Sequence, residues 1–178
     1  MLDQKNKEQL YYSYDTHWNQ LGAYLGVREL LINWGIFLPE LSDRTISCEP
    51  LKGHYHYCAE DDLAKMIGLL GVFDDEIEYK IERTPSIDWQ KYEKEQTAEE
   101  VSFFFNPHAV RKEIVLLVGD SFRTSMIPAL SKVFSDVYVL HRSFYNASML
   151  DEIDPDYVIV EYVERYSENI GEVQNLIG

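Results

Sequence analysis

The residue types needed for nucleophilic acyl transfer occur in two short blocks of this chain. One is Gly119-Asp120-Ser121-Phe122, which follows the apolar run Ile114-Val115-Leu116-Leu117-Val118. The other is Asp15-Thr16-His17-Trp18-Asn19. A serine hydroxyl is a weak nucleophile until a base within hydrogen-bond reach takes its proton. Ser121 is the candidate nucleophile, and His17 is the candidate base because imidazole accepts and returns a proton near neutral pH. Asp15 is the candidate orienting acid, which would fix the tautomer of His17 and stabilise its imidazolium. Side chains two apart in an extended segment share a face, and a tight turn would bring the carboxylate to the ring.

A strand that ends in Gly-Asp-Ser and passes into a helix puts the hydroxyl at the carboxyl edge of a sheet, where open α/β sheets bind ligands. The helix start offers backbone N–H groups to a developing negative charge, that of Ser121 first. Arg123 and Thr124 are candidate side-chain donors just beyond it. His141 and Arg142 follow a second apolar run, Val137-Tyr138-Val139-Leu140, and are candidate substrate-binding residues. Glu161, Glu164 and Arg165 follow a third, Tyr157-Val158-Ile159-Val160, in the same way. Taken singly, each block also reads as a turn or a helix cap. Their joint occurrence, each in a fitting local context, favours catalysis.

The surrounding patterns supply elements to hold these blocks. Asn19 is placed to cap a helix carrying Leu21, Tyr24, Leu25, Leu31 and Ile32, with Gly35 as its stop. Gly22 and Gly26 weaken that helix or allow close packing against a neighbour. Residues 36–60 read as loop-rich, with one strand near Tyr55-His56-Tyr57. Asp61-Asp62 reads as the cap of a short helix over 63–69, residues 76–82 as a half-exposed strand, 84–100 as a surface loop and 101–105 as a strand. Met126, Ile127, Leu130, Val133 and Phe134 make a helical stripe that starts close to Pro128. A short helix over 149–153 and a last one from about Ser167 complete the chain. Strands alternating with helices imply right-handed crossovers and an α/β domain with a mostly parallel sheet.

At 178 residues, one domain is the default. The 46% hydrophobic and 13% aromatic fractions are those of a globular protein. Sixteen basic against 31 acidic residues give a net charge of −15, which disfavours nucleic acid and anionic membranes as partners. The polar start is not a secretion signal, and no run of residues reaches the length of a membrane helix. Cys48 and Cys58 read as free or buried thiols, with pairing across a short loop as the alternative. His54, His56 and Cys58 alternate, which suits either a partly exposed aromatic strand or half of a metal site. Because a second ligand cluster is missing, no metal or other cofactor is expected.

Asp-Thr-His-Trp-Asn-x-x-Gly-Ala-Tyr at 15–24, with Val-Gly-Asp-Ser-Phe at 118–122, resembles the SGNH-hydrolase-like domain of the AlgX/AlgJ alginate O-acetyltransferases and the related DHHW proteins. Weaker likenesses at 61–68 and 155–165 extend the resemblance from about Tyr11 to Arg165. It implies a three-layer α/β/α, flavodoxin-like fold, with Asp15, His17 and Ser121 as a triad. It implies acetyl transfer to hydroxyls of a cell-surface or secreted polysaccharide, without metal. It also implies an extracytoplasmic location, a membrane anchor in the full-length protein, and an acetyl donor supplied through a membrane-bound O-acyltransferase. Relatives of this type carry an upstream region, so the chain is expected to be one domain, 1–178, of a longer protein. The glycine and asparagine blocks of ordinary SGNH esterases are not visible. Two rival readings are a catalytically inactive glycan-binding or assembly module, in which Tyr11, Tyr12 and Tyr14 stack on sugar, and a phosphate-binding flavodoxin-like domain. The second lacks a P-loop lysine or a dinucleotide glycine pattern.

Overall fold

A computed structural model describes residues 8–38, 44–46, 61–73, 79–81, 88–91 and 101–169. The chain forms two compact units. One comprises Met1–Thr84 with Thr124–Ala129, the other Pro85–Arg123 with Leu130–Gly178.

In the first unit, α1 (Gln20–Asn33) is framed by the signals its sequence carries. The Asn19 side chain accepts the Gly22 N–H at 3.0 Å, which satisfies one of the orphan donors of the first turn. At the other end Gly35 adopts φ +70°. Its N–H donates to the Ile32 carbonyl and that of Ile36 to the Leu31 carbonyl, both at 2.9 Å, the paired bonds of a Schellman ending. Leu21, Ala23, Tyr24, Leu25, Val27 and Leu31 form its buried face, and Leu10 packs on Leu21 and Leu25. A two-stranded antiparallel sheet pairs β1 (Arg44–Ile46) with β2 (Tyr79–Ile81). The second lies within the strand expected over 76–82, and the first within the stretch expected to be loop-rich. The predicted helix over 63–69 is α2 (Asp62–Met66).

The second unit carries a five-stranded sheet. Its strands are β3 (Asp88–Lys91), β4 (Val101–Phe105), β5 (Arg111–Gly119), β6 (Phe134–His141) and β7 (Tyr157–Glu161), in the order β3-β4-β6-β5-β7. The fold is α/β, as expected. The core trio β6-β5-β7 is parallel, whereas β3-β4 and β4-β6 are antiparallel, so the sheet as a whole is mixed. β3 lies in the stretch read as surface loop. Asp88-Trp89-Gln90-Lys91 has no apolar alternation, and an edge strand needs none because its main chain pairs on one side only.

Val115, Leu116, Leu117 and Val118 are all almost completely buried, as suits a central parallel strand covered on both faces. Leu116 and Val118 join Val101, Leu140 and, from α4 (Ser148–Ile153), Met149 and Ile153 in one apolar cluster. Each such side chain contributes on the order of 1.5–3 kcal/mol by leaving water. Between β5 and β6 run a 3-10 segment (Ser121–Met126) and α3 (Ile127–Val133). Phe134, expected to close that helix, instead opens β6. A 3-10 segment spans Glu164–Asn169, and most of the helix expected from about Ser167 lies outside the described residues. No helix among the described residues is long and apolar enough to cross a membrane. Cys48, Cys58, His54, His56 and the strand expected at 55–57 lie outside the described residues.

Candidate active site

Residues 11–18 form a closed loop in the first unit. Tyr11 and Trp18 make an antiparallel bridge, the Tyr12 N–H donates to the His17 carbonyl at 3.2 Å, and the Asn19 N–H donates to the Leu10 carbonyl at 3.0 Å. The loop turns Asp15 back onto His17. Asp15 Oδ1 accepts the His17 backbone N–H at 2.9 Å and lies 2.6 Å from Nδ1 of its ring. The Asp15 side chain is 2% exposed and that of His17 is 29% exposed, so a buried acid orients an imidazole that reaches solvent. Burial alone would raise the Asp15 carboxyl. Hydrogen bonds from the His17 side chain, its backbone and the Asp62 backbone, together with the charge of His17, outweigh that and hold it below its ordinary 3.8. With Nδ1–H directed at a carboxylate, the neutral ring presents an unprotonated Nε2.

α2 fastens this loop, a role the sequence reading did not assign to it. The N–H of Asp62 donates to Asp15 Oδ2 at 3.2 Å, and those of Leu63 and Ala64 donate to the Tyr14 carbonyl at 3.0 and 3.2 Å. These orphan donors of the first helical turn thus end on the loop that carries Asp15 and His17. In return the Asp62 carboxylate accepts the Thr16 N–H at 2.7 Å and the Thr16 hydroxyl at 2.5 Å. In the sequence the Asp61-Asp62 pair reads as a local cap. Asp61 makes no side-chain cap bond and sits in the left-handed region at φ 53°, while Asp62 reaches 46 residues along the chain. Asp15, His17 and Asp62 place ligand-type atoms within 4.8 Å of one another. Their oxygens accept the N–H and O–H donors just named. Asp62→Ala is expected to cost about 1–3 kcal/mol, since it leaves the Thr16 N–H without its acceptor. Chemical denaturation with amide exchange at Thr16 checks this, and an unchanged midpoint with unchanged exchange would contradict it.

The aromatics of this block have separate fates. Tyr12 is buried, Tyr14 stacks on Phe73 with centroids 4.2 Å apart, and Tyr11 is exposed. Trp18 packs its Cβ against Gly22.

In the second unit, the parallel register aligns three strand ends. Gly119 pairs with His141 on one side and with Glu161 on the other. Ser121, two residues on, is exposed and is the first residue of the 3-10 segment. Asp120 is 3% exposed and organises the turn. Its Oδ1 accepts the Phe122 N–H at 2.9 Å, its Oδ2 accepts the Val163 N–H at 3.0 Å, and its carbonyl accepts the Arg123 N–H at 3.3 Å. The N–H groups of Phe122 and Arg123, at the start of the 3-10 segment, are therefore used within the turn.

The Arg123 side chain also folds back, with Nη1 donating to the Asp120 carbonyl at 2.5 Å. Burial lowers its pKa, against the opposing charges of Glu161 and Asp120. His141 Nδ1 lies 2.7 Å from the Ser143 hydroxyl and accepts the Ser143 N–H at 3.3 Å, capping a short 3-10 turn (Arg142–Phe144). Burial first, then the charges of Arg123 and Arg142, keep that imidazole below its ordinary 6.5, with Asp120 opposing them. The Arg142 guanidinium lies over the rings of Tyr162 and Tyr166, 5.4 and 4.7 Å from their centroids. Ser121, Arg123, His141 and Arg142 thus share the carboxyl edge of one sheet. Thr124 is grouped with the first unit, as is the Asp15–His17 pair. Sequence reasoning missed the clamp role of Asp120 and the anchoring role of Asp62. Both short acids looked like local caps, and only tertiary contact reveals their distant partners.

No protein-family model matches this chain, and no curated protein matches it either. Solved structures do. PatB1 of Bacillus cereus superposes with a TM-score of 0.62 at 15% identity, over 91% of this chain and 65% of that one. A DHHW family protein from Eubacterium siraeum DSM 15702 superposes with a TM-score of 0.67 at 15% identity, over 98% and 66%. PatB1 with a sulfonyl adduct gives 0.60 at 14% identity, over 90% and 61%. The chain therefore has a fold similar to those of PatB1 and a DHHW family protein, and it spans just under two thirds of their lengths.

Proposed function

We propose that the chain is a serine-dependent O-acyltransferase or esterase domain, of the AlgX/AlgJ type, acting on hydroxyls of a cell-surface or secreted polysaccharide. The observation that carries this reading is the 2.6 Å contact of the buried Asp15 carboxylate with His17 Nδ1. It prepares Nε2 of an accessible imidazole to take a proton. Ser121, exposed at the end of a central parallel strand, is the hydroxyl such a base would serve. The sulfonyl adduct of the structurally similar PatB1 supports a nucleophile in this fold, since such adducts form on nucleophilic side chains.

In this mechanism His17 Nε2 accepts the Ser121 Oγ proton as Oγ bonds to the carbonyl carbon of the acetyl donor. The tetrahedral intermediate collapses, the bond to the leaving group breaks, and His17 returns the proton to it. His17 then takes the proton of an acceptor hydroxyl as its oxygen attacks the acetyl carbon, the bond to Oγ breaks, and His17 gives that proton to Oγ, which restores Ser121 and leaves the acetyl group on the acceptor. Water in place of the sugar hydroxyl makes the same cycle an ester hydrolysis. The location is extracytoplasmic, with the donor supplied through a membrane-bound O-acyltransferase and the domain anchored as part of a longer protein.

The test is intact-protein mass spectrometry after incubation with an activated acetyl ester, followed by peptide mapping. One acetyl adduct on Ser121 is the expected result. A folded protein that gains no adduct, alone or as part of the longer protein, supports the rival reading of a non-catalytic glycan-binding module.

A further inference from the structure

Glu161 ends β7 in register with Gly119, and its side chain lies directly over that glycine. A Cβ on Gly119 would come within 2.7 Å of Glu161 Oε2 and 2.9 Å of its carbonyl oxygen. Oε2 is buried and has no hydrogen-bond partner among the described residues. Its carboxyl faces that of Asp120, the residue that follows Gly119, whose charge disfavours a second ionised acid there. Two carboxyl groups in such contact require a proton between them, because a hydrogen bond needs a donor and ionised acids have none. The Asp120 oxygens already accept the N–H groups of Phe122 and Val163, so the proton resides on Glu161.

We propose that Glu161 is a positioning residue for the Ser121 turn: as a neutral carboxylic acid it donates a hydrogen bond to Asp120, and Asp120 in turn pins Phe122 and Val163 around the nucleophile. It touches no reacting atom and acts through Asp120. This rests on the reading of Ser121 as nucleophile given above. Burial first, then the Asp120 charge and the hydrogen bond with it, push the Glu161 carboxyl from 4.5 up to about 8. The Asp120 backbone N–H and the Arg123 guanidinium pull the other way and are outweighed. The charged and titratable groups around the pair are Arg123 from the turn and, from the end of β6, His141 with Arg142 beside it.

Ionising Glu161 puts a second negative charge against Asp120 and breaks their bond, so the turn loosens as pH rises through about 8. The sign for stability follows from a folded value above the unfolded one. The contribution is complete below about pH 4.5 and is lost progressively as pH rises to about 8.

The experiment measures the rate of Ser121 labelling by a sulfonyl fluoride from pH 6 to 9.5 in wild type, Glu161→Gln and Glu161→Ala. Backbone amide protection at Phe122 and Val163, at pH 7 and 9, is measured in parallel. Glutamine is an uncharged isostere whose amide still donates to Asp120. Wild type is expected to lose labelling above pH 8, approaching tenfold per unit as for a single required proton. Glu161→Gln stays flat there and matches wild type at pH 7, whereas Glu161→Ala is slow throughout with no break. Phe122 and Val163 lose protection at pH 9 in wild type and keep it in Glu161→Gln. A common profile for wild type and Glu161→Gln, or wild-type rates in Glu161→Ala, overturns the proposal. If wild type never labels, the nucleophile reading fails by itself and the amides decide. Unchanged wild-type protection at pH 9 refutes the positioning role, and loss confined to wild type upholds it.

Discussion

Asparagine in place of Asp15 is expected to slow acylation of Ser121 by roughly 10²- to 10⁴-fold, and alanine in place of His17 or Ser121 to remove it. The range for asparagine follows from the donors that surround Asp15. Oδ1 faces two of them, the His17 N–H and Nδ1, while Oδ2 faces the Asp62 N–H. An amide has one acceptor end, so one side must set an NH2 against an N–H. If the amide oxygen faces His17, the tautomer survives and only the charge that stabilises the imidazolium is lost, which is the milder limit. If the NH2 faces His17, Nδ1 must accept, Nε2 carries the proton, and the base is disabled. Single-turnover acylation followed by mass spectrometry measures this. A rate within threefold of wild type would remove Asp15 from the mechanism. A second signature is thermodynamic. The folded carboxyl is held below 3.8, so its contribution is present above that pH and lost as pH falls through the folded value. Asp15→Asn should flatten that acid limb of the stability curve.

Gly22→Ala is expected to destabilise the protein by about 1–3 kcal/mol and to depress acylation with it. Helix propensity argues the other way, since alanine is better than glycine in a helix interior by roughly 1 kcal/mol. Sterics decide the sign. The new Cβ would sit 2.2 Å from the Leu10 carbonyl oxygen and 3.1 Å from Trp18 Cβ. The first is backbone and already accepts the Asn19 N–H, so it cannot swing aside as a side-chain tip would. The loop between Leu10 and Trp18 is the one that presents Asp15 to His17, so relief of the clash moves the pair. Gly35→Ala is the control. Its φ of +70° makes alanine cost about 1–2 kcal/mol, yet nothing lies within 4 Å and acylation should be untouched. Thermal unfolding and acylation rates of the two variants separate these causes. Gly22→Ala more stable than wild type would mean that propensity, not the close approach, governs the site.

Local chemistry was enough to place α1, since a cap residue, an apolar stripe and a left-handed glycine act within a few residues of one another. The runs at 114–118, 137–140 and 157–160 likewise announce buried strands, because a strand covered on both faces must be apolar throughout. Asp15 beside His17 was legible for the same reason: two positions apart, a turn suffices. The edge strand β3 was not, because main-chain pairing leaves no trace in side-chain polarity. Nor was the mixed sheet, since strand direction depends on connections between distant residues.

What the sequence by itself determined is the chemical inventory: a serine after a buried strand, and an acid two residues before a histidine. The tertiary structure alone decided what holds those groups. Asp62 grips Thr16 from 46 residues away, Asp120 grips Val163 from 43 away, and Glu161 lies over Gly119 because parallel register sets two strand ends side by side. Hydrogen bonds and charge coupling act through space over a few ångströms, and only folding brings these partners within that distance.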